Sequence, residues 1–326
     1  MFLPEQPLQF DPIFRSYIWG GQRLAARLGK KTPENEVWAE SWEIVDHREG
    51  ESLVSSGPFR GWSLRKLIQT FPVEITGHNA PEERFPLLLK YLDCQRVLSV
   101  QVHPDDVYGS QMTVPDRGKT EAWYVIESEP NALLYAGLKP DVTPARLRAA
   151  IEQGTTEECL HVLHPRAGDC VFIPAGTVHA LGAGLLVAEI QQASDCTFRL
   201  FDWNRVDKDG KPRPLHIKQA MEVIAFDRGP VDFVRPVEDA SLPGWRLLVD
   251  CDKFVLREAR GESPIVLPSH EVCILTIPSG VATLHSKGTT LALKRGESVL
   301  LPSACEGGTL ELHSDSVALL ATLPNR

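Results

Sequence analysis

Apolar residues along this chain recur mostly at every second position or in short unbroken runs bounded by glycine and proline, a pattern that predicts strands more often than helices. Over residues 98–104 the alternation sets Ser99, Gln101 and His103 on one face of a strand and Val100 and Val102 on the other. Residues 118–126 read the same way, with Lys119 and Glu121 sharing a face. Residues 86–92 (PLLLKYL) predict a fully buried strand and residues 38–44 a half-buried one. Residues 185–191, 196–203 and most of 245–326 are also strand-like. Helical spacing is confined to short stretches. These lie near 24–28, at 64–70 behind a Ser63 cap, and through 147–151, where Thr143 and Pro144 open the helix and Gly154 closes it. Two more are predicted over 157–163 and 215–224, and the proline- and glycine-bearing stretch 229–244 reads as a linker.

The sharpest local pattern is residues 168–179, GDCVFIPAGTVH. Gly168 allows a tight turn into a strand, Val171, Phe172 and Ile173 favour extended backbone, and Pro174 cannot continue a central ladder. Pro174 and Gly176 then turn the chain, so His179 re-enters at the start of a strand and faces inward. The spacing G-x5-P-x-G-x2-H resembles the second motif of the cupin superfamily, small β-barrels that hold a metal inside. Residues 296–302 (GESVLLP) repeat the G-x5-P spacing, but Ala304 and Gly307 stand where Gly176 and His179 would fall. The expected fold is therefore mainly β: two cupin-like jelly-roll barrels with short helical inserts in the first. The division expected is a metal-binding catalytic domain over 1–232 and a degenerate barrel, which kept its architecture and lost its site, over 233–326.

A histidine after a turn is ordinarily packed or solvated, but upstream residues change that reading. Gln101 and His103 lie about 7 Å apart along one strand face, near enough for both to converge on one ion. With Glu121 and His179 they form a set of one amide, two imidazoles and one carboxylate. Such mixed N and O donors suit zinc, with manganese and iron left open. His161 and His164 have no accompanying carboxylate or cysteine motif and read as surface residues; His47, His78, His216, His270, His285 and His313 are isolated.

Composition narrows the class further. The 326 residues carry a formal charge of −9, which argues against a nucleic-acid partner while leaving room for a small anionic ligand held by one or two placed cations. No apolar run approaches the roughly 18 residues of a spanning helix, and the first residues lack the features of a secretory signal, so a soluble cytoplasmic enzyme is expected. Seven cysteines without a C-x-x-C pair indicate neither a disulfide framework nor a zinc ribbon.

Four blocks, LSVQVHPDD (98–106), GKTEAWY (118–124), residues 168–179 and EIQQASDCTFRLFD (189–202), together resemble the type I mannose-6-phosphate isomerases in their short bacterial form. The resemblance implies one zinc ion per chain held by Gln101, His103, Glu121 and His179, and interconversion of mannose 6-phosphate and fructose 6-phosphate. It implies that Arg199, in the SDxxxR stretch, is an active-site arginine and that Lys119 lies near the sugar phosphate. Ser99 shares the face of Gln101 and His103 and could add a hydroxyl contact to the substrate. An aldose–ketose isomerisation moves a proton between C1 and C2 through an enediol, and Glu189 and Asp195 are both candidates for the base. Two other readings stand beside this one: a metal-dependent cupin oxygenase, which would need neither Lys119 nor Arg199, and a non-catalytic sugar-binding bicupin. The sequence names no protein partner.

Overall fold

The computed structural model describes residues 2–34, 36–80, 83–206, 209–261 and 264–324. Its contacts divide the chain into two compact units, one taking Tyr17–Gly21 and Leu92–Phe233, the other Met1–Ser16, Gln22–Tyr91 and Val234–Arg326. The second of these is therefore built from both ends of the sequence. The structure is mainly β, as the alternation predicts.

In the unit containing residues 92–233 the strands are β1 (Val100–Val102), β2 (Glu121–Ser128), β3 (Leu134–Leu138), β4 (Leu160–Leu163), β5 (Cys170–Ile173), β6 (His179–Leu181), β7 (Leu185–Gln192) and β8 (Phe198–Phe201). Helices α1 (Asp106–Ser110), α2 (Pro144–Gln153) and α3 (Ile217–Val223) are short inserts among them. One sheet has the order β4-β3-β6-β1-β8 and is antiparallel throughout; β5 and β7 flank β2 in another, also antiparallel.

The first of these sheets has an apolar and a polar face because its strands alternate. Val100 and Val102 of β1, Ala180 of β6, and Phe198 and Leu200 of β8 enter one core together with Leu147 and Ile151 of α2 and Ala220 of α3. Each large side chain buried there contributes on the order of 1.5–3 kcal/mol. The residues between them are thereby committed to the opposite face, so Gln101, His179 and Arg199 form a row, with His179 and Arg199 each paired across the ladder with Gln101. Helix α2 covers the apolar face. Thr143 accepts a hydrogen bond from Arg146 N, Pro144 occupies the first turn and Gly154 closes the helix in the left-handed conformation, as the sequence indicates.

Three expectations need correction. Residues 157–163 are not a helix: a single 3-10 turn, Thr156–Cys159, gives way to strand β4, which pairs with β3. The ladder outweighs the local helical preference. The stretch 229–244 is not merely a linker, since Val237–Glu238 pairs with Arg246 and Leu247, and Phe233 bridges to Val171. Strand Glu40–Ile44 is buried at every position rather than half-buried. Its polar side chains are satisfied internally, Ser41 Oγ donating to Glu43 (2.6 Å), Trp42 Nε1 to Glu40 (2.6 Å) and Lys30 Nζ to Glu43 (2.5 Å). Strand Leu87–Cys94 is buried along its length, as predicted for 86–92.

The other unit contains two antiparallel sheets formed largely by residues 237–322 around a core that includes Trp245, Leu275, Ile277, Leu284, Leu310 and Leu320. The G-x5-P echo is real at the level of local structure. Gly168 and Gly296 both have positive φ (94° and 85°), each is followed by a four-residue strand, Cys170–Ile173 or Ser298–Leu301, and each strand ends at a proline. At Gly296 a β-carbon would lie 2.5 Å from the Leu28 carbonyl oxygen, so only glycine fits.

Candidate metal centre

Three of the four candidate ligands sit where a strand begins or just past where one ends. Gln101 is central in β1 and His103 follows it, Glu121 opens β2, and His179 opens β6. The ligand atoms of His103, Glu121 and His179 all lie within 4.8 Å of one another, and the three residues are buried. Among the described residues no further group of three such side chains converges, the region around Ala304 and Gly307 included.

Both imidazoles are oriented from behind. His103 Nδ1 is 2.9 Å from the Cys196 carbonyl oxygen and His179 Nδ1 is 2.8 Å from that of Thr177. A carbonyl oxygen only accepts, so Nδ1 carries the proton in each ring and Nε2 presents a lone pair to the interior. Burial, with Lys119 adding to it, lowers the His103 pKa; burial pushes His179 down to about 3, so both rings are neutral near pH 7. Burial alone would raise the Glu121 pKa, but the Lys119 ammonium outweighs it and holds the carboxyl well below its usual range.

The separations fit a shared divalent cation. His179 Nε2 lies 3.3 Å from Glu121 Oε1 and His103 Nε2 lies 3.5 Å from Glu121 Oε2, while Gln101 turns its amide nitrogen toward the His179 Nε2 lone pair (3.3 Å), so its oxygen would reach a shared cation with the amide turned over. Zinc ligands at about 2.0–2.1 Å in a tetrahedron stand roughly 3.3–3.4 Å apart. Glu121 Oε1 has no hydrogen-bond partner among the described residues and faces an imidazole lone pair. Two acceptors held that close call for a positive charge between them.

Lys119 is drawn into this cluster. Its Nζ lies 3.0 Å from His103 Nε2, forms a close ion pair with Glu121 and is 3.6 Å from Glu189 Oε1. Lys119 and Glu121 therefore share a face, as the alternation requires, and the ammonium stands beside the ligands. Glu189 is buried on β7 opposite Trp123, whose ring packs edge-on against His179 with centroids 5.2 Å apart. Ser99 is buried immediately before β1.

Arg199 projects from the same sheet face as Gln101, half-buried. Its Nη1 donates to Pro214 O (3.0 Å), its Nε has no hydrogen-bond partner among the described residues, and no described carboxylate lies within ion-pair distance. Burial, then the Arg213 cation, lowers its pKa. Asp195, by contrast, is exposed on the loop before β8, with its backbone N–H 3.4 Å from Asp116 Oδ2. The structure thus gathers Gln101, His103, Lys119, Glu121, His179 and Glu189, sets Arg199 in the same ladder row, and leaves Asp195 in solvent.

Sequence reasoning missed the surroundings of Arg199. His216 Nδ1 accepts from the Arg199 N–H (3.2 Å), and Asp202 binds both Arg205 and Arg213, two guanidinium groups on one carboxylate. The spacing of three arginines between 199 and 213 was the available signal.

A β-structured chain with a buried His/Glu/His group facing its interior defines the class: this is a cupin-fold protein with a metal-competent site. Comparison with known proteins narrows that class. The catalytic domain of type I phosphomannose isomerase matches residues 8–160. The chain is 33% identical to the mannose-6-phosphate isomerase ManA of Bacillus subtilis over 313 residues, 96% of this chain and 98% of that protein. It is 34% identical to the probable mannose-6-phosphate isomerase GmuF of the same organism, covering 94% and 96%. A crystal structure of the Bacillus subtilis mannose 6-phosphate isomerase superposes with a TM-score of 0.86 at 30% identity, over 97% of this chain and 99% of that one. The chain belongs to the type I phosphomannose isomerase family.

Proposed function

We propose that this protein interconverts mannose 6-phosphate and fructose 6-phosphate, with one zinc ion held by Gln101, His103, Glu121 and His179. The observation that carries the metal reading is the pair of neutral imidazoles whose lone pairs meet a buried carboxylate at 3.3 and 3.5 Å. Bound zinc would supply a positive centre that polarises sugar oxygens as negative charge develops on them.

The remaining work falls to the chain itself. Glu189 is the carboxylate for proton transfer between C1 and C2, because it is buried beside the cluster, whereas Asp195 is exposed. Lys119, 3.6 Å from Glu189, steadies its ionised form and contributes a cation to the anionic substrate. Arg199, without a carboxylate partner among the described residues, offers planar donors to an enediolate or phosphate oxygen. Ser99 supplies a hydroxyl on the same sheet face. This use of Lys119 and Arg199, together with membership of the isomerase family, favours isomerisation over dioxygen activation or simple sugar binding. Within the chain, residues 1–232 contain every side chain named here, which fits a catalytic role for that stretch and a degenerate one for 233–326.

The test is a coupled assay of fructose 6-phosphate formation from mannose 6-phosphate, with metal content measured on the same preparation. About one zinc per chain and turnover are expected in the wild type, and His179→Ala should lose both. A metal-replete wild type without turnover would leave the sugar-binding reading ahead.

A further inference from the structure

The turn that presents His179 is held from outside by a residue that no motif singles out. Arg228 Nη1 donates to Ala175 O (2.5 Å), to Thr177 Oγ1 (2.9 Å) and, at longer range, to Pro174 O (3.4 Å). The same turn touches both histidines, the ring of His179 and the backbone of His103. Thr177 O is the acceptor for His179 Nδ1, and Gly176 N donates to the backbone oxygen of His103 (2.8 Å). The segment bearing Arg228 is itself latched to the turn, since Ala225 N donates to Gly176 O (3.0 Å) and Arg228 N to Ala225 O (3.2 Å).

We propose that Arg228 is a positioning residue for the metal centre: by clamping residues 174–177 it fixes the carbonyl that orients His179 and the amide that fixes His103, so that both Nε2 atoms address one cation. The assignment rests on the metal reading above. Two features argue against a generic surface arginine. Asp105 and Glu222 line the same cavity of about 370 Å³, yet Arg228 forms an ion pair with neither; Glu222 instead accepts from Tyr108 Oη (2.8 Å). Among the described residues its side-chain hydrogen bonds go to the ligand-bearing turn. Groups that orient metal ligands from behind typically alter affinity by about 10- to 100-fold. Arg228 is exposed and its donors compete with water, which places the effect near the lower end.

The experiment titrates zinc into metal-stripped full-length protein against a chromophoric chelator, with the visible absorption of a cobalt-loaded sample as a second readout. Arg228→Ala should weaken zinc binding about tenfold and alter the cobalt spectrum, while the thermal midpoint of the metal-free protein moves by less than about 2 °C. Arg228→Lys should recover most of the affinity. Zinc affinity of Arg228→Ala within twofold of wild type would overturn the assignment, as would a loss of affinity matched by a collapse of the metal-free midpoint. A wild type that takes up no divalent ion would remove the metal reading itself, an outcome visible before any variant is compared.

Discussion

Glu189 and Asp195 are six positions apart and chemically alike, yet one is buried against Lys119 and the other stands in solvent. Only a group beside the reacting carbons can serve as the base. Glu189→Gln should therefore lower kcat by about 10²- to 10⁴-fold with zinc retained, whereas Asp195→Asn should change it by less than about threefold. Steady-state kinetics with metal analysis decide this, and the reverse ranking would transfer the role to Asp195. In the proposed reaction Arg199 serves charge rather than the metal, so Arg199→Ala should keep its zinc while kcat falls by about 10²- to 10³-fold. Equal loss of zinc in Arg199→Ala and His179→Ala would undo that separation. The convergence of His103, Glu121 and His179 was legible from spacing because strand alternation fixes direction. The arginine cluster at 199, 205 and 213 was harder to see, since Asp202 joins it through a loop that no periodicity describes.

At the scale of elements, the turn between β5 and β6 makes the centre possible. Gly176 has φ of 86°, and a β-carbon there would stand 3.0 Å from Val223 O and 3.2 Å from the Ala225 side chain. Gly176→Ala is expected to cost about 1–2 kcal/mol from the left-handed backbone alone, read as a lower midpoint in thermal denaturation, and to weaken metal binding because His179 follows three residues later. An unchanged midpoint would show that the turn yields freely. Strand and helix assignments succeeded where caps or alternation were strong, as in α2 with Thr143, Pro144 and Gly154. They failed at residues 157–163, where pairing with β3 decided the conformation, and at 38–44, where polar side chains paired with one another and allowed complete burial. Neither cause is visible in a local window.

For the whole molecule, the mainly β character and the echo of residues 168–174 in 296–302 could be read from the sequence, but the joining of both chain ends into one unit could not, because it depends on contacts between residues far apart in sequence. Acid sensitivity also belongs to this scale. Burial favours a neutral Asp239, but the Ser241 hydroxyl, Arg257 and the Ser241 N–H overcome it and hold its pKa at about 2. A carboxyl whose folded pKa lies below its unfolded value stabilises the fold above that unfolded value, near pH 4, and loses this contribution as pH falls toward 2. Wild type should therefore lose stability faster than Asp239→Asn between pH 4 and 2 in chemical denaturation, and parallel curves would count against the pair. The most direct measurement for the central claim is anomalous diffraction at the zinc edge from crystals of zinc-loaded protein. One peak per chain is expected, with Gln101, His103, Glu121 and His179 each about 2.0–2.2 Å away. A peak elsewhere, or none in crystals of fully active protein, would contradict it.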